Sequence, residues 1–240
     1  MASVRAVDRA IDILEAISAS PDGKKIAELE SLTGIARPTL YRLVRTLVNR
    51  GLLHQCDDPT RYAVDAGVLA LARPWLRSTA VPALVDTALG ELYGKVDETV
   101  ALSLLREGTR VYVRELVSRH PLTYSVGVGS TETLVRGASG LAIFAFLAEE
   151  ARQQVLAETA APPPADLAQQ IETVRARGYA LSEGQILEGA TAIAAPFFDR
   201  GGEVAGSVGV HGPSVRFAES RIAEFAPALI ACAQTVSQNW

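Results

Sequence analysis

Cysteine, methionine, histidine and the aromatic residues are scarce in this chain of 240 residues. It has two Cys, one Met, three His and two Trp, and Phe, Trp and Tyr together make up 6%. Two cysteines, Cys56 and Cys232, are too few for a disulfide scaffold and lack metal-ligand spacing, which fits a reducing compartment. With no His-Glu-x-x-His and no cysteine pair, neither a metal nor a cofactor is expected. No apolar run is long enough to span a bilayer. Gly137–Ala148 is uncharged but short, and Phe225–Trp240 carries Pro227, Gln234, Ser237, Gln238 and Asn239. The N-terminus runs into Arg5, Asp8, Arg9 and Asp12 without a signal-peptide core. These absences predict a soluble cytoplasmic protein with no membrane partner.

Positive charge is also short overall. The net charge is -4, which taken whole argues against nucleic acid. The balance is uneven, however. Residues 1–78 hold 11 Lys+Arg against 9 Asp+Glu, a net of +2, and residues 79–240 hold 12 against 18, a net of -6. Between Ser31 and Cys56 there are four arginines (Arg37, Arg42, Arg45, Arg50) and no acid. Apolar residues at 48% and charged residues at 21% are ordinary for globular chains and exclude disorder. The length admits one large domain or two small ones.

The basic segment has the spacing of short helices. Val7, Ala10, Ile11, Leu14 and Ile17 recur with helical period, and so do Ile26, Leu29 and Leu32, stopped by Gly34. A third helix is predicted from about Pro38 to Arg50, with Pro38 in its first turn and Gly51 just past its end. Its core side is Leu40, Leu43, Val44 and Leu47. The opposite side carries Pro38, Arg42, Arg45 and Asn49, flanked by Tyr41. Two helices joined by a tight turn make a helix-turn-helix, and an arginine face on the second suits a DNA major groove. Arg37, Pro38, Thr39, Tyr41, Arg42, Arg45 and Asn49 are therefore the candidate DNA contacts. Strand-like pieces around Asp57-Asp58-Pro59-Thr60 predict a wing, from which Arg61 would reach the backbone or minor groove. The plainer alternative is that the arginines only solvate an exposed helix.

Residues 66–95 again have helical spacing, interrupted by Pro74 and Pro82, and predict a helical linker broken near Ser78-Thr79-Ala80. Beyond it, Thr99–Leu105 and Arg110–Leu116 read as paired strands and Leu122–Val126 as a third. A helix is expected after Gly137-Ala138-Ser139-Gly140, a loop at Pro162-Pro163-Pro164, and another helix closed by Gly178. Two strands, Ala192–Phe198 and Val204–His211, and a C-terminal helix follow. Strands with helices set around them predict an α+β domain. Arg136-Gly137-Ala138-Ser139-Gly140 carries chemistry: glycines permit close backbone approach, free helix N–H groups suit a carboxylate, and Arg136 is a bidentate partner.

The chain carries the runs Ser3–Ala10, Ile26-Ala27-Glu28-Leu29, Thr39–Leu47 and Gly51-Leu52-Leu53. Further on stand Asp97-Glu98-Thr99-Val100, Gly178–Gly184, Ile193-Ala194-Ala195-Pro196 and Gly212-Pro213. In this order and spacing they resemble the IclR family of bacterial transcription regulators. The resemblance implies a winged helix-turn-helix domain (1–65), a helical linker (66–95) and a GAF-like antiparallel-sheet domain flanked by helices (96–240) that binds an effector and oligomerises. It implies an effector pocket at Arg136, Gly137, Ala138, Ser139, Ser182, Ala192, Gly209 and His211. The family often has an acid at the place of Ser182, cysteine at Ala192, small hydroxyls at Gly209 and His211, histidine at Val135 and lysine at Leu141. The pocket is therefore expected to be more apolar, which disfavours glyoxylate or pyruvate and favours a larger, partly aromatic or apolar acid. The implied partners are a pseudo-palindromic operator in double-stranded DNA, a carboxylic-acid effector, and further copies of the chain as a homodimer or dimer of dimers. Two rivals stand beside this reading. One is an oligomerising DNA-binding protein without an effector. The other is a hydrolase using Ser139, His211 and Glu183 or Asp199, although no Gly-x-Ser-x-Gly elbow is present.

Overall fold

The apolar periodicity of the first 65 residues builds three helices and a small sheet. The computed structural model describes residues 4–78, 83–159 and 163–240. It divides into two compact units, Met1–Ala80 and Val81–Trp240. The first contains α1 (Arg5–Ser18), β1 (Lys24–Lys25), α2 (Ile26–Thr33), α3 (Arg37–Asn49), β2 (Leu53–Gln55), β3 (Arg61–Val64) and α4 (Gly67–Ser78). Ile13, Ile17, Leu29, Leu40, Val44 and Leu53 form its core. The periodicity of α1 was misleading in one respect: Val7 and Ile11 are exposed, and Ile13 takes the buried place beside Ile17. That helix is apolar on two sides, so phase alone does not choose between them.

Helix α3 ends as expected. Gly51 has φ +69, its N–H donates to Val48 O at 2.9 Å, and Leu52 N–H donates to Leu47 O at 2.9 Å. This pair of bonds satisfies carbonyls that the last turn leaves open, and glycine adopts the left-handed backbone it needs at little cost. The chain then enters the antiparallel sheet β1-β3-β2, with Lys24 opposite Tyr62 and Leu53 opposite Val64. Helix α4 runs through Pro74 where an interruption was expected. Proline lacks the N–H for the carbonyl four residues earlier, but that loss does not stop this helix. The expected break at Ser78-Thr79-Ala80 and Pro82 falls largely outside the described residues, and so does Pro162.

The second unit contains α5 (Ala83–Val96), β4 (Thr99–Arg106), β5 (Thr109–Leu116), β6 (Thr131–Thr133), α6 (Gly137–Phe144), α7 (Glu149–Glu158), α8 (Leu167–Arg177), β7 (Ala180–Glu183), β8 (Ala190–Phe198), β9 (Val204–Pro213) and α9 (Glu219–Asn239). The six strands form one antiparallel sheet in the order β6-β5-β4-β9-β8-β7. Side chains alternate between its faces. Val100, Leu102, Ile193, Phe197, Val208 and Val210 pack with Val85, Leu89, Phe225 and Leu229 of α5 and α9. The second half of the expected linker thus lies in the core of this unit. Ala194 and Ala180, on the other face, pack with Ala138, Ala142 and Val174 of α6 and α8.

Leu122–Val126 is not a strand. Glu115 accounts for the difference: its carboxylate accepts hydrogen bonds from Val126 N at 2.6 Å, Gly127 N at 3.3 Å and Ser125 Oγ at 3.0 Å. A side chain thereby satisfies donors that a strand would give to a neighbour, and Thr131–Thr133 pairs with β5 instead. Helix α7 and strand β7 were not anticipated, and α6 includes Gly137–Gly140 rather than following them.

Candidate DNA interface and effector cavity

Helix α3 owes its orientation to Leu40, Val44 and Leu47, which are buried and leave the other side to solvent. Arg37, Pro38, Tyr41, Arg42, Arg45 and Asn49 are exposed, and Thr39 is half-buried. Among the described residues no carboxylate pairs with Arg37, Arg42 or Arg45. These cations are free for phosphate or base edges.

Helix α1 supplies the other wall of this surface, which the apolar periodicity does not signal. Arg5 and Arg9, one helical turn apart on α1, line the same groove as Thr39, Arg42, Arg45 and Asn49, a space of about 630 Å³. Their i,i+4 spacing was the available signal. Arg61 behaves differently. Its Nη1 donates to Gly23 O at 2.9 Å, and its guanidinium lies 3.8 Å from both Glu28 and Asp58. The wing arginine thus links β3 to α2 and to the turn before β1, with its side chain still 30% exposed.

The second candidate site lies between α6 and the sheet. Ala138, Ser139, Ser182, Ala192 and His211 line one narrow cavity of about 30 Å³, with Gly137 at the start of α6. Gly209 lies beneath it: a Cβ there would stand 2.5 Å from His211 Nε2 and 3.0 Å from Ser139 Oγ. Arg136 is not in the wall. It is exposed and donates to the main-chain oxygen of Gln185. The cation in the wall is Arg110 of β5, only 1% exposed. Its Nη1 donates to the carbonyls of Thr133 and Arg136, the latter at 2.9 Å. Tyr112, Tyr124, Gln185, Ile186, Leu187, Ala190 and Thr191 complete the lining.

The glycines of α6 serve this arrangement. A Cβ on Gly140 would meet Arg110 Nη1 at 2.4 Å and Leu134 O at 2.6 Å. Close approach is required there by the chain's own arginine. Below, Ser103 Oγ and Ser207 Oγ share a hydrogen bond of 2.8 Å, and Ser207 Oγ donates to Ser139 O at 3.0 Å. Buried polar groups thus tie α6 to β4 and β9, as burial demands.

His211 is buried, with the Tyr112 ring edge-on at 6.0 Å and the Tyr124 ring stacked at 6.1 Å. Burial, and then the charge of Arg110, push its pKa down to about 3. Burial likewise raises the Tyr124 hydroxyl above its usual value, with Tyr112 adding to the shift. So weak a base cannot take a serine proton effectively near neutral pH. The acids paired with it in the hydrolase reading lie elsewhere. Glu183 is exposed, and the Asp199 carboxylate accepts the N–H groups of Gly201 and Glu203 in the β8–β9 turn.

The profile of the IclR helix-turn-helix domain matches residues 6–57, and that of the bacterial transcriptional regulator IclR C-terminal domain matches residues 74–238. The chain belongs to the IclR family of bacterial transcription regulators. It is 26% identical to the HTH-type transcriptional regulator BhcR of Paracoccus denitrificans, over 98% of this chain and 86% of that one. It is 25% identical to the transcriptional repressor IclR of Escherichia coli, over 98% and 89%. Among solved structures it superposes on HmgR of Pseudomonas aeruginosa with a TM-score of 0.75 and 26% identity, covering 98% and 99% of the two chains. An IclR-type regulator from Alicyclobacillus acidocaldarius, at 21% identity, shares the fold with a TM-score of 0.82 over 99% of each chain. As in the family, DNA binding resides in the helix-turn-helix and an effector-binding domain follows it. No helix among the described residues is long and apolar enough to cross a membrane.

Proposed function

We propose that this IclR-family protein is a cytoplasmic, non-enzymatic repressor that holds a pseudo-palindromic operator through α3 and responds to a small organic acid bound under α6. The observation that carries the DNA half is the exposed face of α3, where Arg37, Arg42 and Arg45 have no internal counter-charge. A narrow cavity with a buried cation in its wall supports the effector half. Repression is favoured by relatives named as repressors, including the acetate operon repressor of Salmonella typhimurium.

One winged helix makes too few contacts for operator specificity, so two copies would read half-sites one helical turn apart. Exposed Val7 and Ile11 on α1 favour such assembly, as a homodimer or dimer of dimers. Effector binding would change operator affinity through the helices of 66–95, by no more than its differential affinity for the two states. Arg42→Ala tests the DNA reading. It should cost about 1–3 kcal/mol of operator affinity at fixed salt. An unchanged affinity would remove Arg42 from the role of base reader.

A further inference from the structure

The wall of the cavity holds a cation that no acid neutralises. Arg110 is almost fully buried, and among the described residues no carboxylate oxygen lies within 4 Å of its guanidinium. Its Nη1 is used by two carbonyls and its Cζ lies 5.7 Å from the centroid of the Tyr112 ring, but Nε has no hydrogen-bond partner. Ser139 Oγ and His211 Nε2 are also buried without partners. A buried charge left unpaired is strongly unfavourable unless something binds it. The helix N-terminus beside it is already satisfied. Gly137 N–H donates to Gln185 Oε1 at 2.9 Å, and Ala138 N–H donates to Ser182 Oγ at 3.0 Å.

From this division of donors we infer that the cavity takes a small monocarboxylate held by Arg110, and that the Gln185 side chain is an internal plug which the ligand displaces. The inference rests on the reading of this domain as an organic-acid sensor; what it adds is the residue that anchors the acid and the residue that gives way to it, and the narrow, cation-lined space favours a smaller acid than the sequence suggested. The single cation calls for a single anion, since a second carboxylate would itself be buried unpaired. Ser139 Oγ donates to the oxygen that Arg110 leaves free. The amide oxygen of Gln185 sits where an anion would sit at the start of α6, so its departure frees a further N–H.

At about 30 Å³ the cavity has room for about one water. A carboxylate therefore enters by moving Gln185, Ile186 and Leu187. That strap begins and ends at Gly184 and Gly189, with φ +65 and +77, and Leu187 is 55% exposed. When it lifts, Leu187 gives up little contact, and Ile186 leaves its place over Gly137.

The test uses the full chain, thermal unfolding and calorimetry at constant ionic strength. The probes are formate, acetate, propionate and benzoate, each set against its primary amide. At least one acid should bind and raise the unfolding temperature, while its amide does not. Arg110→Gln should weaken that acid about ten- to hundredfold, the range of a charge-assisted hydrogen bond. Arg136→Gln should not weaken it, and Gln185→Ala should tighten it. The inference is overturned if no acid binds, if the amide binds equally, or if Arg136→Gln is the damaging change. Should Arg110→Gln fail to fold, the acid–amide pair on the native chain and Gln185→Ala decide the matter. Operator binding measured alongside separates the two claims. An acid that binds through Arg110 without altering operator affinity supports the anchor and sinks the effector reading. Failure of every acid, with operator binding intact, sinks the anchor and leaves the DNA reading standing.

Discussion

Acid should weaken the C-terminal unit through His211, and replacing that residue should remove most of the effect between pH 7 and 5. In the folded chain the imidazole is held neutral, with its pKa pushed down to about 3 by burial and then by Arg110. In the unfolded chain it returns to about 6.5. Between these values the unfolded state binds a proton that the folded state does not, so stability falls as pH falls. From pH 7 to 5 the loss spans about 1.5 pH units, or about 2 kcal/mol. His211→Gln keeps a neutral polar group but cannot titrate, so its stability should decline about 2 kcal/mol less over the same interval. Trp240 packs against Phe197 at 5.1 Å between ring centroids, so its fluorescence reports unfolding of this unit. Urea titrations at pH 7, 6 and 5 in a Trp75→Phe background would isolate that signal from the N-terminal unit. Parallel declines in the parent and His211→Gln would show that His211 titrates normally, and the account of a buried, cation-flanked imidazole would fall with it. Arg110→Gln should move the same way to a smaller extent, because burial is the larger cause.

Other substitutions discriminate single contacts. Gly140→Ala places a methyl against Arg110 and the carbonyl of Leu134 and should cost about 1–3 kcal/mol in denaturant unfolding. Gly94→Ala, in α5 with open space around it, should instead stabilise by about 0.5–1 kcal/mol; matching signs would contradict the packing of α6. Arg5→Ala with Arg9→Ala should weaken binding to all DNA sequences alike and flatten the salt dependence by about 2 log units per log unit of salt. An undiminished slope would show that α1 stays clear of the phosphates. Arg61→Ala should lower the melting temperature of the N-terminal unit slightly and leave the salt slope unchanged; a reduced slope would restore it to the DNA surface.

The N-terminal reader was legible because its determinants are close in sequence. The period of Leu40, Val44 and Leu47, with Gly51 beyond, fixes which side of α3 faces water, and the arginines follow. The internal contacts of Arg61 were legible only in part: Asp58 is three residues away, but Gly23 lies 38 residues away and no local pattern signals that bond. The same limit hid the anchor of the second site. Alternation along β5 sets Arg110 and Tyr112 on the face opposite Val111 and Val113, which is visible in sequence. That α6 would close over this face is not, since Arg110 reaches carbonyls 23 and 26 residues further on. Arg136 attracted notice by adjacency to the glycines. Adjacency says little about direction, and its side chain turns outward to Gln185.

Net charge and binding preference part company in both halves of this protein for the same physical reason. A net of -4 measures the far field, which solvent ions screen within about 10 Å at 0.1 M salt. Recognition at contact distance depends instead on which cations lack an internal partner. Arg61, Arg114, Arg152, Arg216 and Arg221 are each paired with Glu or Asp of the chain. Arg42 and Arg45 remain uncompensated at the surface, and Arg110 remains uncompensated in the interior. The surface pair meets a polyanion whose phosphates bring their own counterions, so its affinity should fall steeply with salt. The interior cation is shielded from salt, so carboxylate binding there should respond weakly to ionic strength. Raising salt from 50 to 200 mM should therefore separate the two activities, with operator affinity dropping by orders of magnitude while the acid's affinity changes little. Equal losses would place the acid on the surface rather than beside Arg110.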